Sequence, residues 1–473
     1  MPDRAGSLRS GLVVAPAGCG KTQWLVDELK GKDPERPSLL LTHTNAGVSA
    51  LRKRLQRANV PPSAFRLSTI DGWALKLCGT FPERSEVPSA ALGLTEPSVH
   101  YPIIRECAAR LVSRGHIADC LTKSYSNLFV DEYQDCTVRQ HELVKQLAAL
   151  LPTLVVGDQM QAIFGFNVDD PLIAWDVVQT SFPVVNELRK PWRWINAGAE
   201  DLGEWLIKVR GTLERKEPVN LRDAPQSVKW IELNGGPDDQ VKMISAARWT
   251  GHGSKHGVMV IGDSRSPESR HSLASGVRGA EVIEPVELKQ MVQFFQELDL
   301  RHGDAIHRLF TFAEKMITGV GRGQLTKRLD TLRRARSRKP PSDVELAALN
   351  FELNRTPLAA AEIFMALEAD PSMRVYRPTV LHGCIRTLLT SNSSPTLDLR
   401  ESAIQIREQF RTFGRPLPAR AVGSTLLLKG LESGAVVVLN ADELDSKNLY
   451  VALTRGSKAV VVCSRSPVLN PDS

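Results

Sequence analysis

The sequence predicts an α/β protein of several domains, in which mostly parallel sheets are flanked by helices and interrupted by helical insertions. Strand-then-helix patterns recur around residues 11–75 and 127–185, as in a parallel sheet with helical crossovers. Across residues 285–412, apolar residues recur at helical spacing without a strand pattern. The chain has 473 residues, of which 42% are hydrophobic. This length allows about three folding units.

The composition is that of a globular protein with a mild excess of basic residues. Lysine and arginine number 60 against 53 acidic residues, and the net charge of +7 weakly favours a polyanionic partner. No apolar run approaches the ~20 residues needed to cross a bilayer, and the first residues lack the apolar core of a secretory signal. We therefore expect a cytoplasmic protein with no membrane contact. The seven cysteines are scattered singly, without zinc-site spacing, and are interpreted as reduced thiols.

The first segment with a chemical signature is a glycine-containing loop between a strand and a helix. Residues 11–14 (GLVV) predict a short buried strand, and a helical pattern follows the loop. Small residues let such a loop wrap a phosphate, so that backbone N–H groups and the helix N-terminus point at the anion. Lys21 is expected to reach the β- and γ-phosphates of a nucleotide, and the Thr22 hydroxyl to hold Mg²⁺. The predicted nucleotide-binding residues here are Ala17, Gly18, Cys19, Gly20, Lys21 and Thr22, and the loop departs from the general pattern in beginning with Ala15.

An acidic pair follows the next predicted buried strand, residues 127–130 (NLFV). Asp131 and Glu132 stand at the carboxyl end of that strand, which in a parallel sheet lies beside the phosphate-binding loop. We expect Asp131 to hold Mg²⁺ and Glu132 to polarise the attacking water.

A third strand pattern, residues 153–156 (TLVV), ends in a segment with a polar amide and two aromatic residues. Gln161 is placed to sense the γ-phosphate, whereas Phe164 and Phe166 offer faces for base stacking. Taken alone, the two aromatic residues fit a packed core better than a stacking platform.

With three motifs in this order, the sequence resembles the UvrD/Rep/PcrA family of superfamily 1 helicases. Residues 39–46 (LLLTHTNA) are similar to motif Ia and residues 67–72 (LSTIDG) to motif Ib, through which the family contacts single-stranded DNA. His43 stands where an aromatic residue is usual, and Asp71 stands where a histidine is usual, so that a carboxylate would face DNA phosphates. The resemblance implies that the DNA-binding residues are His43, Thr44, Asn45, Thr69, Phe164 and Phe166.

Residues 188–193 (LRKPWR) are similar to motif IV of the family. The resemblance implies that Trp192 stacks on the adenine and that Arg193 approaches the γ-phosphate from the second motor domain. Proline replaces the usual asparagine of this motif. The adenine-reading glutamine that often precedes the phosphate-binding loop is absent before residue 11.

Two later segments complete the resemblance. Residues 424–432 (STLLLKGLE) resemble motif V, which would place Glu432 near the ribose or phosphates of ATP. Residues 448–456 (NLYVALTRG) resemble motif VI, which makes Arg455 the second arginine finger. A permanently charged planar donor suits a position that stabilises charge on the transferred phosphoryl group. The predicted catalytic residues are therefore Glu132, Gln161, Arg193 and Arg455.

The resemblance also implies two RecA-like motor domains with helical insertions. The predicted boundaries are residues 1–76 and 127–182 for the first motor, 77–126 for a small helical insertion, 183–284 and 413–473 for the second motor, and 285–412 for a larger helical insertion. The basic stretch at residues 327–339 within the larger insertion is either a solvated linker or a contact to duplex phosphates.

The implied function is an ATP- and Mg²⁺-dependent translocase that moves 3′ to 5′ on single-stranded DNA and separates strands at junctions with duplex. One alternative is a DNA-sensing ATPase subunit that signals to a partner nuclease and unwinds little by itself. The compact architecture resembles the helicase subunits of anti-phage systems such as Gabija, and DNA repair is another setting. A third interpretation, a phosphate-loop kinase or an RNA helicase, requires the later motifs to be accidental or the sugar specificity to differ.

Overall fold

The computed structural model describes residues 10–30, 35–94, 96–165, 169–249, 257–394, 396–412 and 417–471. The chain divides into two compact units. They are Met1–Pro225 with Leu444–Thr454 and Asn470–Ser473, and Gln226–Glu443 with Arg455–Leu469. Within the described ranges, none of the helices combines the length and the apolar character that crossing a membrane requires.

A six-stranded sheet forms the centre of the first unit. Its strands are β1 (Ser10–Val14), β2 (Ser38–Thr42), β3 (Phe65–Thr69), β4 (Leu128–Val130), β5 (Thr153–Gly157) and β6 (Val184–Glu187). They lie in the order β3-β2-β4-β5-β1-β6, and every neighbouring pair is parallel. Leu39 and Leu41 pack into the core on one face, and Leu40 packs into the core on the other. Central strands are continuously apolar because both faces of such a sheet are covered.

Helices cover both faces of this sheet. They are α1 (Lys21–Lys30), α2 (Asn45–Arg57), α3 (Ile70–Thr80), α4 (Pro82–Ser85), α5 (Ser89–Leu92), α6 (Pro97–Ser113), α7 (Ala118–Ser124), α8 (Val138–Ala148), α9 (Trp175–Ser181), α10 (Trp192–Ala197) and α11 (Glu200–Glu214), and a short strand β7 (Val219–Asn220) follows. Ile104 and Leu111 of α6 belong to the same core as Leu39 and Leu128 of the sheet. The helices at residues 77–126 therefore share their core with the first sheet.

The structure places the boundary between the units near residue 225, whereas the sequence predicted it at residue 183. The reason is β6, which pairs in parallel with β1 and so extends the first sheet. All four of its residues are exposed. An exposed edge strand carries no buried apolar face, so the sequence gives no local sign of which sheet it joins.

The second unit has a six-stranded parallel sheet of its own. Its strands are β8 (Val228–Glu232), β9 (Val258–Ile261), β10 (Glu281–Val282), β13 (Arg420–Gly423), β14 (Ser433–Val438) and β15 (Gly456–Ser464), while β11 (Ile317–Thr318) and β12 (Arg374–Val375) form a separate antiparallel ribbon and β16 (Val468–Leu469) follows β15. The order in the sheet is β10-β13-β9-β14-β15-β8. The two parallel sheets confirm the predicted α/β class.

The helices of the second unit divide between this sheet and a helical region. They are α12 (Asp238–Ala247), α13 (Pro267–Gly276), α14 (Lys289–Glu297), α15 (Ala305–Glu314), α16 (Arg322–Arg333), α17 (Asp343–Asn354), α18 (Pro357–Ala369), α19 (Pro378–Ser393), α20 (Leu399–Thr412) and α21 (Thr425–Leu428). A separate apolar core that runs from Leu288 to Ala403 holds α14–α20 together. Finally, α22 (Ser446–Leu453) returns to the first unit, where it packs against α11.

The basic stretch at residues 327–339 is partly helical and partly neutralised. Its first half lies in α16 rather than in a linker. Arg333 forms ion pairs with Glu352 of α17 and with Asp330. Arg328 contacts Glu345 at 3.1 Å. Two of its arginines therefore already have carboxylate partners within the helical region.

A buried charged cluster lies where the second sheet meets the helical region. Arg377 is 2% exposed and donates through Nε and Nη2 to the two carboxylate oxygens of Glu284, at 2.5 and 3.1 Å. The ring of His271 lies beside them, 4.0 Å from Glu284. Burial, aided by the positive charges of Arg377 and Arg270, lowers the pKa of His271 to about 3. This histidine is consequently neutral in the folded protein at ordinary pH.

Candidate functional site

The loop after β1 turns on two glycines with positive φ. Gly18 has φ 72° and Gly20 has φ 85°, a region that residues with a Cβ rarely adopt. A Cβ on Gly18 would lie 2.4 Å from a ring carbon of Trp194, and a Cβ on Gly20 would lie 3.1 Å from a ring carbon of Trp192. The helix α1 begins directly after the loop, at Lys21. Small residues wrapped before a helix N-terminus form the cradle that an anion needs.

Lys21 and the acidic pair meet at the carboxyl edge of the first sheet. They do so because β4 lies next to β5, and β5 lies next to β1. Lys21 Nζ lies 2.6 Å from Glu132 Oε2. Burial by itself lowers the pKa of Lys21, but the carboxylates of Glu132 and Asp131 outweigh it and the pKa is raised. The lysine is therefore held charged at the mouth of the loop.

Asp131 is buried without full satisfaction of its carboxylate. It is 5% exposed, and its Oδ1 has no hydrogen-bond partner among the residues that the structure describes. Burial raises the pKa of Asp131 to about 6, although the charge of Lys21 opposes the shift. A buried, unsatisfied carboxylate oxygen beside a phosphate-binding loop has the chemistry of a Mg²⁺ ligand.

The remaining loop residues have distinct surroundings. The N–H of Ala17 donates to the hydroxyl of Tyr450 at 2.9 Å, and burial keeps the pKa of Tyr450 well above its usual value. Burial also raises the pKa of Cys19 to about 12, so its thiol is protonated and acts in packing. Thr22 is the second residue of α1 and is partly buried. Tyr450 was not predicted as a site residue, since 433 positions separate it from Ala17.

Trp192 and Arg193 lie over the phosphate-binding loop within the first unit, so the prediction that they belong to the second motor is corrected. The backbone N–H of Arg193 donates to the carbonyl of Gly18 at 3.1 Å. Its Nη1 donates to the carbonyl of Thr454 at 2.7 Å. Trp192 is 44% exposed, and the ammonium of Lys190 lies 4.0 Å from its ring centre. Because β6 pairs in parallel with β1, the segment that follows β6 starts at the same edge of the sheet as the loop that follows β1.

A hydrogen-bonded chain that the sequence did not predict extends from the acidic pair to Gln161. The amide of Gln134 donates to Glu132, and Gln134 Oε1 accepts the backbone N–H of Asp158 at 3.1 Å. Asp158 Oδ2 accepts the side-chain amide of Gln161 at 3.1 Å, and Asp158 Oδ1 accepts Nη2 of Arg210 at 2.8 Å. The position of Asp158 directly after β5 was an available signal. Arg210, on a helix between the recognised motifs at residues 188–193 and 424–432, had none.

Two of the predicted DNA-binding threonines serve as helix caps. The hydroxyl of Thr44 accepts the N–H of Gly47 at the start of α2, at 3.0 Å. The hydroxyl of Thr69 accepts the N–H of Gly72 at the start of α3, at 2.9 Å. Asn45 is exposed in the first turn of α2. Because β2 and β3 are neighbours, these residues reach the same carboxyl edge as the phosphate-binding loop.

The aromatic candidates at this edge are partly accessible. Phe164 is 37% exposed. The ring of His43 is half-buried, with Nε2 3.4 Å from the sulfur of Cys136. Phe166, the other predicted stacking residue, lies outside the described residues.

Asp71 is neutralised within the protein. Its two carboxylate oxygens accept Nε and Nη2 of Arg105 at 2.7 and 2.6 Å, and Gln140 donates to Oδ1 at 2.9 Å. Nη1 of Arg105 binds Asp170 at 2.6 Å. Asp71 therefore closes an internal ion cluster between α3, α6 and α8, and does not present an uncompensated charge to DNA.

In the second unit, Glu432 and Arg455 precede two neighbouring strands. Glu432 is exposed just before β14, and Arg455 stands just before β15. Arg455 is 2% exposed, its Nη1 donates to the carbonyl of Leu431 at 3.0 Å, and its own carbonyl accepts the N–H of Ser433 at 3.0 Å. The two predicted residues therefore lie at the amino edge of the second sheet.

The chain is similar to known helicases in two comparisons. A helicase of an arterivirus, nonstructural protein 10 in complex with DNA, matches 96% of this chain with 10% identity and a TM-score of 0.36, and the chain spans 60% of that structure's length. A comparison with curated protein sequences finds no significant match. Residues 99–176 match the family model of the UvrD/REP helicase N-terminal domain. This segment contains Asp131, Glu132 and Gln161.

The family match and the geometry agree. The matched segment contributes the acidic pair that the structure brings to Lys21, and the two parallel sheets flanked by helices are consistent with two RecA-like domains. Residues 99–176 are therefore similar to the N-terminal domain of UvrD/REP helicases, and the rest of the chain lies outside this match.

Proposed function

We propose that this chain is a UvrD-like helicase that couples ATP hydrolysis to movement along single-stranded DNA, 3′ to 5′, and separates strands at junctions with duplex. One observation carries the proposal. Lys21, Glu132 and the unsatisfied Asp131 converge on a glycine-turned loop at a helix N-terminus. That set of groups matches what nucleoside triphosphate hydrolysis requires. The preference for ATP and the polarity are supported by the family resemblance.

The residues of the first unit fit a Mg²⁺–ATP ligand. A Cβ on Gly18 would collide with the ring of Trp194, and a Cβ on Gly20 would be crowded by the ring of Trp192. Thr22 and Asp131 would hold the metal ion, and Oδ1 of Asp131 still lacks a partner among the described residues. When bound, Mg²⁺ neutralises charge on the phosphate oxygens.

The other groups have separate tasks. Lys21, held charged by its acidic neighbours, attracts the terminal phosphates. Glu132 is an acceptor for a proton of the attacking water, and Gln134 fixes the orientation of its carboxylate. Trp192 offers an exposed ring for the adenine, and Arg193 adds positive charge beside the loop.

A single strand of DNA would run along the same carboxyl edge of the first sheet. His43 and the partly exposed Phe164 offer faces for base stacking, which is sequence-tolerant. Asn45 and the N-terminal turns of α2 and α3, capped by Thr44 and Thr69, would bind phosphates. The proposed nucleotide-binding and DNA-binding residues lie along one edge of the same sheet. A movement of the first group can therefore shift the second over a short distance. From the family resemblance alone, we also propose that Glu432 and Arg455 contact the nucleotide.

The first experiment is ATP hydrolysis by the purified protein with and without single-stranded DNA. Lys21→Ala removes the charge at the loop, and Lys30→Ala removes an equal charge from the exposed end of the same helix. We expect strong stimulation by DNA in the wild type and in Lys30→Ala, and none in Lys21→Ala. Wild-type hydrolysis that stays at the level of Lys21→Ala on every nucleic acid would refute the proposal for the isolated chain. Displacement from duplexes with a 3′ or a 5′ tail then tests the polarity.

A second candidate is a DNA-sensing ATPase subunit of a nuclease complex, as in anti-phage systems or DNA repair. The observation that favours it is the small first helical segment, since α5–α7 pack into the core of the first sheet rather than forming a separate body. A strand-displacement assay with and without the product of a neighbouring nuclease gene distinguishes the two. Unwinding that requires the partner would support this candidate.

A further inference from the structure

Arg210 is a buried arginine on α11 that lies outside every motif of the sequence. It is 8% exposed. Its Nε and Nη2 both donate to Oδ1 of Asp158, at 3.0 and 2.8 Å, and its Nη1 donates to Glu214 at 2.9 Å. The planar guanidinium thus fixes Asp158 from one side with two donors.

Asp158 connects Glu132 to Gln161 through hydrogen bonds. It is fully buried. Its Oδ2 accepts the amide of Gln161 at 3.1 Å, and its Oδ1 also accepts the backbone N–H of Met160 at 3.2 Å. Its own backbone N–H is held by Gln134, which in turn binds Glu132.

A buried ion pair of this kind is a poor way to gain stability alone. The desolvation of both charges offsets much of their attraction, and apolar replacements of similar volume are often neutral or better. What an apolar pair cannot do is orient an amide. With Asp158 held as a charged acceptor, the Nε2 end of Gln161 must face it, which fixes the direction of the other end.

We propose that Arg210 is a positioning residue for the coupling of ATP hydrolysis to DNA. It holds Asp158 in the orientation that aligns Gln161, the residue proposed to sense the γ-phosphate next to the segment that bears Phe164. The inference rests on the proposed function, because a coupling residue has a role only in a chain whose ATP hydrolysis responds to DNA. The role of Gln161 in this coupling is the one that the sequence predicts. Arg210 itself touches neither nucleotide nor DNA in this proposal.

The test compares Arg210→Lys with wild type and with Arg215→Lys. Lysine keeps the charge opposite Asp158, so the unit still folds, but it lacks the planar fork that fixes one oxygen with two donors. Arg215 is a matched control, since it stands just past the end of the same helix and its side chain is 61% exposed beside Glu217. A third variant, Arg210→Met, removes the charge altogether, and its unfolding midpoint is measured in parallel.

For Arg210→Lys we expect a DNA-stimulated kcat about tenfold lower, the size of one lost charge-assisted hydrogen bond. Basal hydrolysis and the KM for ATP should stay within about twofold of wild type, because the groups around Lys21 are unchanged. If Arg210 only stabilised the fold, Arg210→Met would lower the basal rate and the unfolding midpoint together. Arg210→Lys would then have wild-type values for both, and for the DNA-stimulated kcat.

Hydrogen exchange gives a readout that needs no activity. The amides of Met160 and Gln161 are bonded to the side chain and the carbonyl of Asp158. They should exchange faster in Arg210→Lys and not in Arg215→Lys, while those of α1 remain unchanged. Wild-type exchange together with wild-type stimulation in Arg210→Lys would overturn the positioning role. Absence of stimulation in the wild type would count against the proposed function, and the exchange measurement would still decide whether Arg210 positions residues 158–161.

Discussion

Replacing Asp71 with alanine removes one of the two carboxylates that hold Arg105 between α3 and α6. The substitution deletes two hydrogen bonds from the guanidinium, at 2.7 and 2.6 Å, and one from Gln140 at 2.9 Å. Arg105 keeps its bond to Asp170 at 2.6 Å. The first unit therefore loses half of a paired charge cluster while the buried arginine stays in place.

The size of the effect follows from burial. The side chain of Arg105 is 12% exposed and that of Asp71 is 21% exposed, so water replaces the lost carboxylate poorly. Breaking a buried ion pair by removing one partner costs about 3–5 kcal/mol. Because Asp170 still balances Arg105, we expect the lower end of that range, about 3 kcal/mol of unfolding free energy.

Urea unfolding followed by tryptophan fluorescence measures this loss in the appropriate unit. Of the tryptophans, only Trp230 and Trp249 fall in the second unit, so the signal reports mainly on the first. The matched control is Glu86→Ala, which breaks the exposed pair with Arg114 and should leave the transition unchanged, since solvent screens such pairs.

An Asp71→Ala transition that coincides with that of Glu86→Ala would refute the reasoning about this cluster. A second variant, Asp71→Asn, addresses DNA. Since Arg105 already compensates the carboxylate, removing its charge should leave the affinity for single-stranded DNA unchanged. A clear gain in affinity would show that Asp71 does face the phosphates.

Three further substitutions have defined outcomes. Tyr450→Phe deletes the buried hydroxyl that accepts the N–H of Ala17, and should lower the free energy of unfolding by about 1–3 kcal/mol in urea titrations; a smaller change would mean that the amide finds another partner. The wild type should lose stability as the pH falls from 6.5 to 3, because His271 binds a proton in the unfolded chain but, with its pKa lowered to about 3, not in the folded one. His271→Gln should lose less stability over this range. Urea midpoints that fall equally in both proteins would contradict this. Charge reversal at the exposed Arg334, which leaves the ion pairs of Arg333 intact, should not change duplex affinity or its salt dependence, whereas a fall would support a contact of the basic stretch with duplex DNA.

The elements of the proposed nucleotide site were visible in the sequence because each is a short contiguous pattern at a strand end. Binding a phosphate needs small residues before a helix, with a lysine next to them, and Lys21 stands there. The position of Asp131 and Glu132 directly after a buried strand similarly predicted that they are site residues. Their meeting in space followed from one rule, that carboxyl ends of parallel strands share an edge. The helical periodicity of residues 285–412 was equally local.

The tertiary structure decided the partners that support these groups. Arg210 meets Asp158 across 52 positions, and Tyr450 meets Ala17 across 433. Sequence patterns record the period of a helix or strand, but not which side chain arrives from a distant element. The same limit explains the boundary at residue 183, since nothing in an exposed strand shows that it joins β1.

Asp71 shows both sides of this division. The sequence by itself determined that a carboxylate stands where the resembled family has a histidine, directly after β3 and near the proposed path of DNA. Only the tertiary structure decided that this carboxylate faces Arg105 of another helix. The physical reason is that the free energy of a charge depends on what surrounds it, and those surroundings are assembled by packing.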